Sequence, residues 1–353
     1  MRQAVEPIVL NGSHGEGGGA LLRTALTMAA MTQQATRVHN IRGALRRKGL
    51  NAEDLTFLQA VARICDAEVE GDDLDSEAVV FRPKRPVKAL TGRFDVHSHM
   101  QGRVPGSSLI VLSSLLPILA RSGAYSQITV FGETHNNNTL GFDAFARSSV
   151  AALRRMGLYA FPALVSTGFG MGGRGEVYCD VEPSALNGVD WRLRGPLVAC
   201  GAEITVSEMA PEATERAKAS LEQLFTSTDL KPDVEVTVVQ GRESGLSVTV
   251  WAEHETGFGS GSAVLQRGLT VPQTALRAWQ AFQDWHSSTA SVDAFLADQL
   301  LLPAVFADGK TVLSTPNVTR RLITMAWTVK QFLPIKVTIV GREGEPGTLT
   351  VER

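Results

Sequence analysis

Apolar residues recur at intervals of three and four through GGALLRTALTMAAMT (18–32), a spacing that lines one face of an α-helix. The β-branched run ATRVHNI (35–41) follows as a strand, then a second periodic helix, NAEDLTFLQAVARICDA (51–67), and the strand AEVEG (67–71). The same grammar returns twice. Its second copy is GSSLIVLSSLLPILARSG (106–123), SQITVFG (126–132), the loop ETHNNN (133–138), GFDAFARSSVAALRRMG (141–157) and YAFPALV (159–165). Its third is SVDAFLADQLLLPAVFADG (291–309), KTVLS (310–314), VTRRLITMAWTVKQF (318–332) and PIKVTIVG (334–341). Each amphipathic helix pair has to cover a sheet face, so the pattern predicts an α/β protein of three helix-sheet repeats around a pseudo-threefold core, helices inward and sheets outward.

Between the second and third copies, residues 189–271 carry strand and helix signals of their own. VDWRLRGPLVACGAEITVS precedes PEATERAKASLEQLF, which has Pro and acids at its start, and VEVTVVQ and LSVTVWAEH follow. This predicts a smaller inserted α/β domain over 189–271, with 1–188 and 272–353 forming the main repeat domain. GFGSGSA (257–263) reads as a Gly/Ser loop or hinge, with a nucleotide cradle as the alternative.

Composition narrows the partners only slightly. Of 353 residues 44% are hydrophobic, enough for a sizeable core, and the net charge of −2 supplies no global field for a polyanion. Any such site must be a local cluster of Arg and Lys. The start MRQAVEPIVL lacks a signal-peptide pattern, and the longest apolar run, LIVLSSLLPILA, is shorter than a spanning helix. The expectation is a cytoplasmic protein without membrane attachment. Cys65, Cys179 and Cys200 are odd in number and outside CxxC spacing, which argues against a disulfide framework or a zinc knuckle and for buried thiols.

The candidate chemistry begins at NGSHGEGGGALLR (11–23). A glycine-rich turn entering a helix aims free N–H groups at an anion. It lacks the Lys and hydroxyl of a P-loop. Glu16 on this turn suits a divalent cation that bridges carboxylate and phosphate; the alternative is a tight turn with a capping acid. Arg23, amid small apolar residues, needs an anion. Arg42, Arg46, Arg47 and Lys48 in IRGALRRKGL form a phosphate clamp or a solvated run, and Arg320-Arg321 opposes the dipole at a helix start. No Ser-His-Asp, CxxC or HExxH constellation appears. His14 lies in the opening motif, His135 in the ETHNNN loop, and HSHM (97–100) reads as exposed loop, with a two-histidine metal site as the alternative.

The ordered set GSHGEGGGALLRTAL, IRGALRRKGL, DLTFLQAVARICDAEVEG, VVFRP, LRRMG, GFGMGGRGEV, ASVDAFLADQLLLPAVF and QFLP resembles the RNA 3'-terminal phosphate cyclase family along nearly the whole chain. The resemblance implies that family's architecture, shared with enolpyruvyl transferases: three repeats and a smaller domain inserted before the third. It implies ATP and a divalent cation, Mg or Mn, as cofactors, with an RNA 3' end or a nucleotide as partner and no DNA. Family enzymes adenylylate a histidine, pass AMP to an RNA 3'-phosphate and close a 2',3'-cyclic phosphate. By resemblance Glu16 matches the metal-associated acid, Arg23 and Arg42 the phosphate-binding arginines, Phe295 the base-stacking aromatic and Asp298 the acid near the adenosine; Arg46 of the basic loop and Gln299 next to Asp298 are further candidates for phosphate or nucleotide binding.

The nucleophile departs from the pattern. Counting back from QFLP places Arg321 where the family keeps its histidine, and a guanidinium stays protonated. Leu45 replaces a second family arginine, Ser113 a glutamine, and His135 and Asn137 the Asp and Pro of a T-D-N-P pattern. The resemblance therefore implies a cyclase-like protein with a degenerate active site that binds an RNA 3' end or nucleotide phosphate without the covalent step. The alternatives are an active ATP-dependent cyclase with a displaced nucleophile, His14 or His135, and a group-transfer enzyme acting on a phosphorylated small molecule.

Overall fold

A computed structural model of the chain describes residues 6–98, 106–137 and 139–352. The first repeat comprises β1 (Ile8–Asn11), α1 (Gly19–Thr32), β2 (Thr36–His39), α2 (Ala52–Cys65), β3 (Glu68–Glu70) and β4 (Ala78–Arg82). The second comprises β5 (Thr91–Asp95), α3 (Ser108–Ala120), β6 (Ser126–Gly132), α4 (Phe142–Ala144), a π-helical turn (Phe145–Ser149), α5 (Val150–Arg155), β7 (Ala160–Ser166) and β8 (Gly175–Val181). The third opens with β9 (Asp190–Trp191) and is interrupted by β10 (Leu197–Ser207), α6 (Pro211–Phe225), β11 (Asp233–Val238), β12 (Gly245–His254), β13 (Gly257–Val264) and α7 (Val271–His286). It resumes with α8 (Ala294–Phe306), β14 (Thr311–Thr315), α9 (Arg320–Lys330), β15 (Lys336–Val340) and β16 (Gly347–Glu352).

Strand order reveals the repetition more plainly than sequence does. The three sheets run β1-β2-β4-β3, β5-β6-β8-β7 and β9-β14-β16-β15. In each, the first pair is parallel and the next two are antiparallel. Every repeat therefore holds a leading strand and a further hairpin strand beyond the helix-strand-helix-strand grammar of the sequence. Helices α1, α3 and α8 are buried along nearly their whole length, and one apolar cluster joins all three repeats. A helix apolar on every side has to lie inside, so these three form the centre.

The inserted unit has a second apolar cluster, in which Ile204 and Val248 of its sheet meet Ala278, Phe282 and Trp285 of α7. The packing boundaries therefore differ from 189–271. Asp190–Trp191 belongs to the third sheet through β14, and α7, assigned by sequence to the main body, covers the inserted sheet. GFGSGSA is not a loop: it is β13, antiparallel to β12 along its whole length. Its glycines serve a close helix approach, since a Cβ on Gly261 would collide with the backbone nitrogen of Phe282.

Polar contacts tie the insert to the second repeat. Arg147 on the π turn pairs with Glu203 and Glu235, its guanidinium 5.2 Å from the Trp251 ring, and Thr205 donates to Asp143 at 3.0 Å. Burial pushes the Glu203 carboxyl up to about 7 against the opposing charge of Arg147. His97 is buried, which overturns the exposed-loop expectation for it, and His99 lies outside the described residues. All three cysteines are free and buried, and burial raises Cys65 and Cys179 to about 12.

Candidate functional site

One cavity of about 280 Å³ lies where α1, α3 and α8 meet. Glu16 and the start of α1 line it together with Arg23, Arg42, Phe295, Asp298, Gln299 and Arg321. The apolar wall includes Ile110, Pro117, Leu140, Leu302 and Met325.

Local sequence explains how these groups converge. Gly15 has φ +63°, a left-handed conformation natural to glycine, and the turn docks on α9 where the Glu16 amide donates to Thr324 Oγ1 at 3.0 Å. The N-cap of α1 is Gly18, with no side-chain cap, so the first-turn N–H groups beside the cavity are left for another acceptor. On α9, Thr319 caps the helix by accepting from Leu322 N at 2.9 Å, and its hydroxyl donates to Asp298 Oδ1 at 2.6 Å. That chain fixes the Asp298 carboxylate beside Arg321.

Arg321 bridges two acids. Its Nε lies 3.5 Å from Glu16 Oε2 and its Nη1 lies 3.7 Å from Asp298 Oδ2, while Cζ sits 5.8 Å from the Phe295 ring centroid. These carboxylates offset the unfavourable dipole at the start of α9. Burial pushes Asp298 up to about 7, moderated by the Thr319 hydroxyl and by Arg321, so it is only part ionised at neutral pH.

Arg23 already has its anion, and the anion is internal. Its Nη1 donates to Asp54 Oδ1, and Arg42 donates to Asp54 Oδ2 from Nε at 3.1 Å and Nη2 at 2.8 Å. Glu53 Oε1 lies 3.9 Å from the same Arg23 nitrogen. Three guanidinium groups thus face four carboxylates. Asp54 and Glu53 were missed because acids in the first turn of a helix read as dipole partners; the signal was an acid on the buried, apolar face of α2.

The remaining candidates lie elsewhere. Arg46 is exposed and does not line the cavity. His14 is exposed and stacks on Trp327, ring centroids 3.8 Å apart. His135 is 1% exposed, with Nε2 3.3 Å from Asp143, Nδ1 2.9 Å from Thr134 Oγ1, and its ring stacked on Phe169. Neither histidine lines the cavity. Asn137 is tied to β13, accepting from Val264 N at 3.0 Å and donating to Val264 O at 2.9 Å.

The donor set does not fit a dedicated metal site. Among the described residues no group of three or more His, Cys, Asp or Glu could hold a metal, and Glu16 and Asp298 instead share a guanidinium. No helix among those residues is long and apolar enough to cross a membrane.

Comparison with known proteins bears on this geometry. The family described as RNA 3'-terminal phosphate cyclase matches residues 14–339. An RNA 3'-terminal phosphate cyclase from Methylococcus capsulatus is 33% identical over 341 residues, covering 96% of this chain and 94% of the relative. That of Nostoc punctiforme is 34% identical over 329 residues, covering 92% and 94%. Among solved structures, the enolpyruvyl transferase NikO from Streptomyces tendae is 12% identical with a TM-score of 0.39, covering 98% of this chain and about half, 48%, of the other.

Proposed function

Because this chain belongs to the RNA 3'-terminal phosphate cyclase family, we propose that its central cavity holds an RNA 3' end reversibly, without an adenylyl-enzyme intermediate. The observation that carries the reading is Arg321. It stands in the cavity between Glu16 and Asp298, at the position where the family resemblance calls for histidine. A guanidinium keeps its proton at any working pH, so it can hold a phosphate oxygen but cannot attack phosphorus. His14 and His135 lie outside the cavity, which weighs against a displaced nucleophile.

The geometry favours a polymer end over a free metabolite. The cavity shares Thr139, Leu140, Phe295 and Gln299 with a groove of about 540 Å³ lined by the second repeat, the third repeat and the insert. Ser149, Ser260, Ser262 and Asn317 line that groove with hydroxyl and amide groups suited to a ribose-phosphate backbone. The terminal nucleotide sits in the cavity and the preceding ones leave past Phe295, which is 52% exposed and free to stack on a base.

Binding of a fluorescent oligoribonucleotide tests this reading. Wild-type protein binds reversibly and denaturation releases all the RNA. Arg321→Ala leaves Glu16 and Asp298 unopposed and weakens binding by about tenfold or more. Equal binding by Arg321→Ala, or no RNA binding by the wild type at low salt, would contradict it.

A further inference from the structure

Two arginines reach the cavity from separate elements and end on one buried carboxylate. Arg23 comes from α1 and Arg42 from the loop after β2, and Asp54 uses one oxygen for each. The Asp54 side chain is 0% exposed, against 14% for Arg23 and 17% for Arg42.

The local backbone is built around that contact. A Cβ at position 19 would press on both Arg23 Nη1 and Asp54 Oδ1, so glycine alone leaves room for the pair at the start of α1. Arg42 has φ +55°, a left-handed conformation that costs a non-glycine residue energy and that its two hydrogen bonds to Asp54 Oδ2 offset. Asn51 caps α2 by accepting from the Asp54 amide at 2.9 Å, fixing the acid in the first turn.

Two guanidinium groups that close on two oxygens of one anion, Arg23 through Nη1 and Arg42 through Nε and Nη2, are also an arrangement that recognises a phosphate monoester. Here the carboxylate already fills it. Among the described residues that line the cavity, Arg321, with a side chain 40% exposed and ion pairs to Glu16 and Asp298 no shorter than 3.5 Å, is the cation held most loosely and the one best able to turn to added charge. We propose that Asp54 is a resident anion in the arginine clamp, so that the cavity rejects dianionic phosphate ends and selects a singly charged one, a 2',3'-cyclic phosphodiester. This selectivity rests on reading the cavity as an RNA 3'-end site; the occupancy of the clamp by Asp54 does not.

The test uses one oligoribonucleotide with either a 3'-phosphate or a 2',3'-cyclic phosphate, and inorganic phosphate as a separate probe of stability. Wild-type protein binds the cyclic end about tenfold more tightly than the monoester. Asp54→Ala frees both arginines and gains about tenfold or more for the monoester, which erases the preference. Inorganic phosphate raises the melting temperature of Asp54→Ala and not that of the wild type, because an added anion replaces the missing one. Asp54→Asn follows the same direction, since whichever way its amide turns one guanidinium loses an acceptor. A wild type that prefers the monoester, a variant with no gain, or a variant that fails to fold even with phosphate would overturn the proposal. If neither protein binds either RNA end, the RNA-site reading and the selectivity fall together, and the phosphate-dependent melting of Asp54→Ala then decides whether the clamp is occupied by a resident anion.

Discussion

Asp298 shows how far a single residue can set the charge of the site. Its carboxyl rises from 3.8 to about 7, chiefly through burial. An acid with a higher pKa in the folded than in the unfolded chain keeps its proton in the folded state across that window, where the unfolded chain has lost it. Stability therefore falls as pH rises from about 4 to about 7, and this contribution is flat on either side. Asp298→Asn is expected to flatten the slope in that window by up to about 1.4 kcal/mol per pH unit. Urea denaturation at a series of pH values measures it, and parallel profiles for wild type and variant would contradict the assignment. At this scale sequence led to Glu16, Arg23, Arg42, Phe295, Asp298, Gln299 and Arg321, which the fold gathers in one cavity. It left Arg23 awaiting a ligand, because its partner Asp54 stands 31 positions away and only the fold brings α2 beside α1.

Elements with a strong three-and-four period were legible; those defined by contact were not. Helices α1, α2, α6, α8 and α9 lie where periodicity and capping signals place them. Strand β13 was not legible, because GFGSGSA satisfies every loop signal while its small residues serve the packing of α7. Gly261→Ala is the corresponding test. The added methyl meets the backbone of α7 near Phe282 and not a movable side-chain tip, so the expected cost is about 1–3 kcal/mol, with altered near-ultraviolet dichroism from Trp279 and Trp285. A hinge would accept alanine with neither change. The second-repeat helix illustrates the same limit, since FDAFARSSVAALRR reads as one amphipathic helix and a π-helical turn interrupts it where Arg147 reaches the insert.

At the scale of the molecule, three sheets of identical strand order surround three buried helices, and the cavity opens where those helices meet. The repetition was visible in the hydrophobic pattern, but the short leading strand of the third repeat, β9, was hidden by the insertion that follows it. With a net charge of −2 and a cavity whose arginines are internally paired, the proposed RNA binding would draw on local contacts at the 3' end and along the adjoining groove rather than on a global field. On the proposed function this site grips its ligand without bonding to it. Incubation with ATP labelled at the α-phosphate and with magnesium or manganese, followed by denaturing electrophoresis, tests it directly. No label on the protein is expected; a robust, acid-labile adenylyl adduct would contradict reversible, non-covalent binding.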